Sequence, residues 1–187
     1  NKSPFGFIGA CNVGVSKASG EFIVLLNNDR EVTYGWLDEL VEGFTNFENV
    51  GAVGSRLLYP NGILQDAGGI VYGNGQTANY GHKQNPWNPK FRYARQVDYL
   101  SSTALMTKKS IWNEIKGLSE YLYPMYYEDT DFAFKVRESG YKTYYIPTSI
   151  VYQIEGATRG KDISKEFKHF KEVNALKFKK RWSKVFA

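Results

Sequence analysis

Phe22-Ile23-Val24-Leu25-Leu26, followed at once by Asn27-Asn28-Asp29, is the stretch that decides the fold class. An unbroken apolar run of this length is typical of a central parallel strand that helices cover on both faces. Ligands of such sheets bind beyond the carboxyl ends of the strands. We therefore expect Asp29 to lie at a binding edge, where its carboxylate can meet a hard divalent cation and a diphosphate.

A second acidic motif, Tyr127-Glu128-Asp129-Thr130-Asp131, stands at the start of a predicted helix that Gly140 ends. Two interpretations stay open. The acids are favoured at a helix N-terminus by the macrodipole alone, most readily Asp131, and Asn27-Asn28-Asp29 is also a common kind of polar turn. If the acidic end faces a cleft, however, one carboxylate can accept a proton from an incoming hydroxyl. Together the two motifs predict a metal-assisted transfer site.

Composition predicts one globular domain. The chain has 187 residues, of which 42% are hydrophobic and 16% aromatic, and this excludes disordered and fibrous classes. Its single cysteine, Cys11, cannot form an internal disulfide, which fits a reducing compartment. The apolar runs are too short for a membrane helix and no signal peptide opens the chain. These features predict a cytoplasmic protein.

The positive charge is concentrated at the C-terminal end. The net charge is +5, but residues 161–187 contain nine Lys or Arg against Asp162, Glu166 and Glu172. The rest of the chain is close to neutral, so nucleic acid is not a predicted partner. The same segment has the spacing of an amphipathic helix. We predict that it packs on the domain, with attachment to an anionic lipid surface as the alternative.

Periodicity and turn residues predict an alternation of helices and strands. A long irregular loop is expected over residues 73–96, and a hairpin turn at Tyr59-Pro60-Asn61-Gly62. The predicted helices cover residues 7–18, 36–47, 108–115, 129–139 and the C-terminal segment, and the predicted strands cover 21–26, 50–54, 97–100, 144–146 and 150–152.

In their order along the chain, these motifs resemble family 2 glycosyltransferases, particularly the rhamnosyltransferase-like members, over residues 6 to 182. The motifs that carry the resemblance are Asn12-x-Gly14, Leu26-Asn27-Asn28-Asp29, Asp66-x-x-Gly69, Tyr127-Glu128-Asp129-x-Asp131 and Gly140-Tyr141. The resemblance implies a GT-A-like (Rossmann-like) α/β fold with a mixed, mostly parallel central sheet flanked by helices. Residues 1–160 would form the catalytic domain, with the basic helix of residues 161–187 packed on it.

The resemblance also implies an activity: inverting transfer of a sugar from a nucleotide-sugar donor to a glycan or lipid-linked acceptor, with Mn²⁺ or Mg²⁺, in polysaccharide biosynthesis of the cell envelope. Asp29 resembles the last acid of the family's metal motif, and Asp129 its catalytic base, with Glu128 binding or orienting the acceptor. A loop over residues 155–160 would close the site. The residues expected to bind the donor are Asn12, Gly14, Asn27, Asn28, Asp98, Ser101, Ser102 and Arg159.

The sequence departs from the family pattern at two places. Gln153 stands where family members commonly carry a metal-ligating histidine, and an amide oxygen is the weaker ligand. Ahead of Gly6 there is no counterpart of the family's first strand, helix and second strand. We therefore expect an N-terminally truncated chain that binds its donor weakly, with an open sheet edge that a homodimer could cover.

Two other functions remain as alternatives. A non-catalytic remnant that binds carbohydrate or a partner protein would keep the fold and bind glycans without metal. A metal-dependent phosphohydrolase also uses an aspartate after a strand, but it needs more acidic ligands than the sequence offers. Association with the inner face of the membrane is a further possibility for a lipid-linked acceptor.

Overall fold

A mixed sheet forms the centre of the protein in the computed structural model, which describes residues 6–153 and 164–186. Its helices are α1 (Gly6–Lys17), α2 (Trp36–Asn46), α3 (Lys109–Glu114), α4 (Glu128–Glu138) and α5 (Ser164–Arg181). Its strands are β1 (Phe22–Leu26), β2 (Arg30–Val32), β3 (Val50–Leu58), β4 (Leu64–Asp66), β5 (Gly69–Val71), β6 (Thr77–Asn79), β7 (Arg95–Gln96), β8 (Ala104–Lys108) and β9 (Lys142–Gln153).

The main sheet has the order β1-β8-β3-β9-β2, with β4 paired to β3 and β7 to β9, while β5 and β6 form a separate hairpin. Strands β1 and β3 are each antiparallel to β8, so they run in the same direction on either side of it. Strands β3 and β9 are parallel neighbours. The predicted GT-A-like α/β fold with a mixed sheet is thus confirmed, although β3 and β9 are the one parallel pair that the described residues form.

The position of β1 corrects one expectation. We predicted a central strand, but β1 lies at the end of the strand order within the described part of the chain. Its apolar run is nevertheless covered, because Ile23 and Leu25 are buried in the main core while Phe22 and Val24 pack on a second cluster around α2. An unbroken apolar run indicates that both faces of a strand are buried. A strand at the end of the strand order can also be buried in this way, provided that helices cover both of its faces.

The strand predicted at residues 97–100 is wrong, since these residues make one isolated bridge, between Gly69 and Tyr99. The strand instead comes later, at β8, which lies between β1 and β3. All of its residues but the last are buried. A strand buried on both faces has no polar alternation to reveal it, and its short Ala104-Leu105-Met106 core resembles the start of the helix that follows.

Strands β3 and β9 are longer than predicted. The two short strands expected at residues 144–146 and 150–152 are one strand, whose register against β3 shifts between the pairs Ser55–Ile146 and Arg56–Ile150. Pro147 lies in that shift and has no N–H to donate to a ladder.

The predicted hairpin is confirmed, because the Gly62 N–H donates to the Tyr59 carbonyl at 2.8 Å and β3 pairs with β4 across the turn.

Helix α5 is joined to the main core through its aromatic residues. Phe178 and Trp182 are buried in that core, and both rings contact Phe134 of α4. Each such side chain contributes roughly 1.5–3 kcal/mol on burial. The described lysine side chains of α5 are exposed: Lys168, Lys171, Lys177, Lys179 and Lys180. None of the helices in residues 6–153 and 164–186 is long and apolar enough to span a bilayer.

Candidate active site

A cleft of about 700 Å³ opens where β1, β4 and β9 end and α4 begins. It brings together residues from both acidic motifs, which are separated by about a hundred positions in the chain. The predicted site residues that line it are Asn27, Asn28, Asp29, Ser101, Asp129 and Gln153. The first and second motifs therefore face one cavity, which is the arrangement that a transfer reaction between two substrates requires.

Asp29 is held by the turn between β1 and β2. The turn is fixed on one side by the Asn27 N–H, which donates to the Thr103 carbonyl at 3.1 Å, and on the other by the pairing of Arg30 with Gln153 across β2 and β9. Oδ1 of Asp29 lies 3.6 Å from Nε of Arg30 and has no hydrogen-bond partner among the described residues. A buried carboxylate oxygen in that state is available for a cation or a donor from a ligand.

Gln65 of β4 lines the same cleft and was not predicted. Its amide Nε2 donates to Oε1 of Gln153, while its own Oε1 is buried without a hydrogen-bond partner in the described structure. Asp29, Gln65 and Gln153 thus present oxygen atoms, which are the ligands that Mg²⁺ and Mn²⁺ accept. The set fits a hard cation, although the described residues hold no cluster of three or more His, Cys, Asp and Glu side chains for one.

Asp129 lies in the first turn of α4, partly exposed on the wall of the cleft. Its Oδ1 accepts hydrogen bonds from the backbone N–H of Thr130 at 2.7 Å and from the Thr130 hydroxyl at 3.2 Å. Desolvation raises the pKa of the Asp129 carboxyl, and the hydrogen bonds to Thr130 oppose that effect. A carboxylate with a raised pKa that reaches a cleft is suited to general base catalysis.

Glu128 is buried beneath the cleft rather than exposed in it. Only 7% of the residue is exposed, and Oε1 accepts a hydrogen bond from the Ser102 hydroxyl at 3.2 Å. Burial, and secondly the charge of Asp129, raise the pKa of Glu128 to about 8. Burial therefore favours the protonated form of Glu128, and a proton held there would leave the negative charge of the pair on Asp129.

This raised pKa predicts a pH effect on stability. Between the ordinary glutamate value of 4.5 and about 8, folded Glu128 keeps a proton that the unfolded chain has lost. The contribution of Glu128 to the free energy of unfolding is therefore fully present below pH 4.5, and it declines as the pH rises towards 8. Replacing Glu128 by Gln removes this dependence, and we expect the variant to gain free energy of unfolding relative to the wild type as the pH rises from 5 to 8.

Urea unfolding of both proteins at pH 5 and pH 8 measures the effect. Asp66, whose pKa burial raises to about 7, is present in both proteins, and its contribution largely cancels in the difference. A difference between variant and wild type that is the same at both pH values would contradict the assignment of a neutral Glu128.

Four further predicted site residues do not line the cleft. Asn12 forms two hydrogen bonds with the backbone of Leu118, at 2.9 and 3.0 Å, and fixes α1 to the loop after α3. Asp98 accepts from the Val71 N–H and pairs with Arg137. Neither lines the cleft, and the same is true of Ser102, which lies behind Glu128, and of Gly14, which borders an adjoining groove along β1. Arg159 and the closing loop lie outside the described residues.

Sequence reasoning missed several residues of the cleft. Lys171 of α5 lines it, and Thr130 donates two hydrogen bonds to the Asp129 carboxylate. The signal for Thr130 was present, because a hydroxyl next to the acid in Tyr127-Glu128-Asp129-Thr130-Asp131 is a common helix N-terminal hydrogen-bond donor. No local pattern pointed to Lys171, which is one of many lysines on a solvated helix face.

Comparison with solved structures places the fold among glycosyltransferases. The chain aligns over its full length with 37% of GalNAc-T7, solved with UDP, GalNAc and Mn²⁺, at a TM-score of 0.74 and 15% identity. Over 82% of its length it aligns with a mannosyltransferase from Pyrobaculum calidifontis, solved with GDP-Man and Mn²⁺, at a TM-score of 0.54. At 15% identity these likenesses concern the fold.

Sequence relatives are closer. An uncharacterized Sinorhizobium fredii protein, y4gI, is 33% identical over 96% of this chain, which covers 20% of that protein. The Myxococcus xanthus O-antigen biosynthesis protein RfbC is 34% identical over 63% of the chain and 10% of its own length. A Mycobacterium tuberculosis N-acetylglucosaminyl-diphospho-decaprenol L-rhamnosyltransferase is 25% identical over 76% of the chain and 50% of its own length. The chain thus spans half or less of the length of these relatives.

The family comparison agrees with the resemblance noted in the sequence. The profile described as "Glycosyl transferase family 2" matches residues 1–113, which include β1, the Asp29 turn and β8. This stretch is more than half of the chain. The protein belongs to glycosyltransferase family 2.

Proposed function

We propose that this chain carries the catalytic centre of an inverting, metal-assisted glycosyltransferase that moves a sugar from a nucleoside diphosphate sugar to a hydroxyl of a glycan or lipid-linked acceptor. The observation that supports it most strongly is the shared cleft, which Asp29 lines from the β1–β2 turn and Asp129 lines from α4. One carboxylate is suited to the donor's diphosphate side and the other to the acceptor.

In this mechanism the hydroxyl oxygen of the acceptor attacks the anomeric carbon of the donor sugar, and Asp129 removes the proton from that hydroxyl. The bond between that carbon and the diphosphate oxygen breaks, and the electron pair leaves with the nucleoside diphosphate. Attack from the side opposite the leaving group inverts the anomeric configuration. Burial raises the pKa of Glu128, and a proton held there would keep the negative charge of the pair on Asp129, the group that faces the acceptor in this proposal.

Asp29, with the amide oxygens of Gln153 and Gln65, would hold the divalent cation. When bound, Mn²⁺ or Mg²⁺ neutralises charge on the departing diphosphate. Since Asp29 supplies the one charge of this set, we expect a loosely held cation whose coordination the donor's phosphates complete. The two similar folds solved with Mn²⁺ and a nucleotide support this choice of cation.

The acceptor is proposed from the positively charged side chains of the cleft. Arg30 and Lys171 line it together with Asp29 and Asp129, so a substrate with phosphate groups finds positive as well as negative side chains. The named function of the mycobacterial relative, rhamnosyl transfer to a diphospholipid-linked sugar, agrees with such an acceptor. We propose a rhamnosyl donor and a lipid-linked acceptor as the first pair to assay.

Replacing Asp29 by Asn tests the cation site. The substitution keeps the size of the side chain and removes the one negative charge, so we expect Mn²⁺ affinity to fall by at least about tenfold. Calorimetric titration with Mn²⁺ measures it without any substrate. The matched control is Glu31→Gln, which removes a charge from an exposed residue of β2 two positions away. Equal affinity of the Asp29 variant and the control protein would refute the assignment.

One observation favours a second function, a carbohydrate-binding domain without catalysis. Oε1 of Gln153 already accepts a hydrogen bond from Gln65, which competes with a cation for the same oxygen. A binding domain of this kind would hold glycans equally well in Mn²⁺ and in EDTA. Titration with nucleotide sugars in Mn²⁺ and in EDTA separates the proposals, because the proposed enzyme would bind the donor's diphosphate through the metal and the binding domain would not.

A further inference from the structure

The segment that leads into α4 has an unusual backbone. Tyr126 and Tyr127 are consecutive non-glycine residues in the left-handed region, with φ of 75° and 64°. Such conformations are unfavourable for residues with a Cβ, and they persist where surrounding contacts enforce them. Asp129 follows two residues later, so the direction in which its carboxylate points depends on this turn.

The contacts that hold the segment come from α5. Asn174 is 1% exposed, and its Nδ2 donates to the carbonyl of Leu122 at 2.6 Å and to that of Met125 at 2.8 Å. The carbonyl of Tyr126 lies at 3.3 Å from the same nitrogen. Three backbone acceptors of one irregular segment therefore converge on a single buried amide, whose two hydrogens are shared among them, with the Tyr126 carbonyl as the most distant acceptor.

The position of Asn174 relates this contact to the cleft. Met125, Tyr126 and Tyr127 line the cleft beside Asp129, and Lys171, one helical turn before Asn174, lines it from α5. Other contacts of α5 reach the borders of the segment: Lys177 donates to the Tyr121 carbonyl at 2.9 Å. Asn174 therefore forms hydrogen bonds with the part of the segment that also lines the cleft.

We infer that Asn174 is a positioning residue for Asp129: through the carbonyls of Leu122, Met125 and Tyr126, the C-terminal helix fixes the turn that aims the catalytic carboxylate into the cleft. This inference rests on the proposed function for its catalytic part. Its structural part, the local anchoring of residues 122–127, is independent of any activity.

The test uses Asn174→Ala, the isosteric Asn174→Asp, and Lys177→Ala as the matched control on the same helix. Misplacing a catalytic group by about 1 Å lowers rates by up to roughly a hundredfold. For both Asn174 variants we expect kcat to fall about tenfold to a hundredfold, with KM for the donor changed less than about twofold, because the Asp29 side of the cleft is untouched. Lys177→Ala should keep the wild-type kcat.

The isosteric variant separates lost hydrogen bonds from a cavity. Aspartate fills the same volume but replaces the amide donors, so a kcat defect in Asn174→Ala that is absent from Asn174→Asp would show that packing, and not the amide contact, matters. That result would overturn the inference. If the wild-type protein transfers sugar and both Asn174 variants keep its kcat, the inference is also overturned.

Hydrogen exchange supplies the readout that needs no substrate. In Asn174→Ala we expect the amides of residues 122–131 to exchange at least about tenfold faster while those of β1, β3 and β8 keep their rates. Uniformly faster exchange, or a variant that does not fold, would make Asn174 a general stability residue and reject the inference. If the exchange change is local but the wild-type protein transfers no sugar, the anchoring stands and the proposed function fails.

Discussion

Asp129→Asn is expected to lower kcat by roughly 10²–10⁴-fold, the range that general base catalysis contributes. The amide cannot accept the acceptor's proton, while its oxygen can still accept the hydrogen bonds that Thr130 makes to Oδ1 at 2.7 and 3.2 Å. Local structure should therefore be retained. Because the proposed function has the cation and the diphosphate bind from the Asp29 side of the cleft, the dissociation constant of the donor should stay within about threefold of the wild type.

Steady-state transfer to a lipid-linked acceptor, with donor binding measured by calorimetry, checks both parts. Glu138→Gln is the control: it makes the same chemical change at the exposed C-terminal end of α4. A variant at position 129 that keeps more than about a tenth of the wild-type kcat would show that another group accepts the proton. Loss of donor binding together with kcat would instead place Asp129 on the donor side.

Asp131→Ala should cause the largest loss of stability. Asp131 is 0% exposed and accepts hydrogen bonds from Ser119 at 2.5 Å, Tyr121 at 2.6 Å and the indole N–H of Trp182 at 2.8 Å. The guanidinium of Arg181 lies 3.4 Å away. Removing the carboxylate leaves these donors unpaired and uncouples α5 from α4, for which we expect a loss of about 3–5 kcal/mol in free energy of unfolding.

Urea denaturation at pH 7 measures the loss. Glu138→Ala removes an exposed carboxylate from the same helix and should change the free energy of unfolding by no more than about 0.5 kcal/mol. A loss below about 1 kcal/mol for Asp131→Ala would mean that the buried ion pair and its hydrogen bonds are replaced by water or by rearrangement. The helix interpretation of Asp131, as an acid that the macrodipole favours, would then be sufficient.

Local patterns predicted the elements that carry the two acids. The apolar run of β1 ends at Leu26 and so places Asp29 at the strand's carboxyl end, and the aromatic and acidic order around Asp129 marks the start of α4. Both are short-range signals, because a strand end and a helix start depend on neighbouring residues. Their meeting in one cleft followed from the family resemblance and from the rule that sites lie beyond strand ends.

These local patterns could not predict which strands and side chains pair across the fold. Strand β8 inserts between β1 and β3, and its choice of partners is decided by packing over the whole sheet. Gln65 and Gln153 meet only because β4 and β9 both pair with the end of β3 near Leu58. Asn174 stands among lysines, and its role depends on three carbonyls that are about fifty residues away in the chain. A single sequence holds no local signal for contacts of this kind.

The same limit explains the residues that were assigned to the donor pocket and lie elsewhere. Asn12 and Asp98 are polar residues in motif-like contexts. The Asn12 side chain, however, forms hydrogen bonds with the Leu118 backbone, and the Asp98 side chain accepts hydrogen bonds from the Val71 N–H and from Arg137. An asparagine or aspartate that satisfies backbone groups has the same sequence appearance as one that binds a ligand. The hydrogen-bond partners distinguish them.

In the proposed mechanism, a cation held by Asp29 faces the same cleft as Asp129. The chain has two methionines, of which Met125 lines the cleft and Met106 is buried in the core around α2. In protein labelled with ¹³C at the methionine methyl groups, Mn²⁺ should broaden the Met125 signal at lower concentrations than the Met106 signal, and Asp29→Asn should abolish the difference. Equal broadening of both signals, or a difference that survives in Asp29→Asn, would contradict the account.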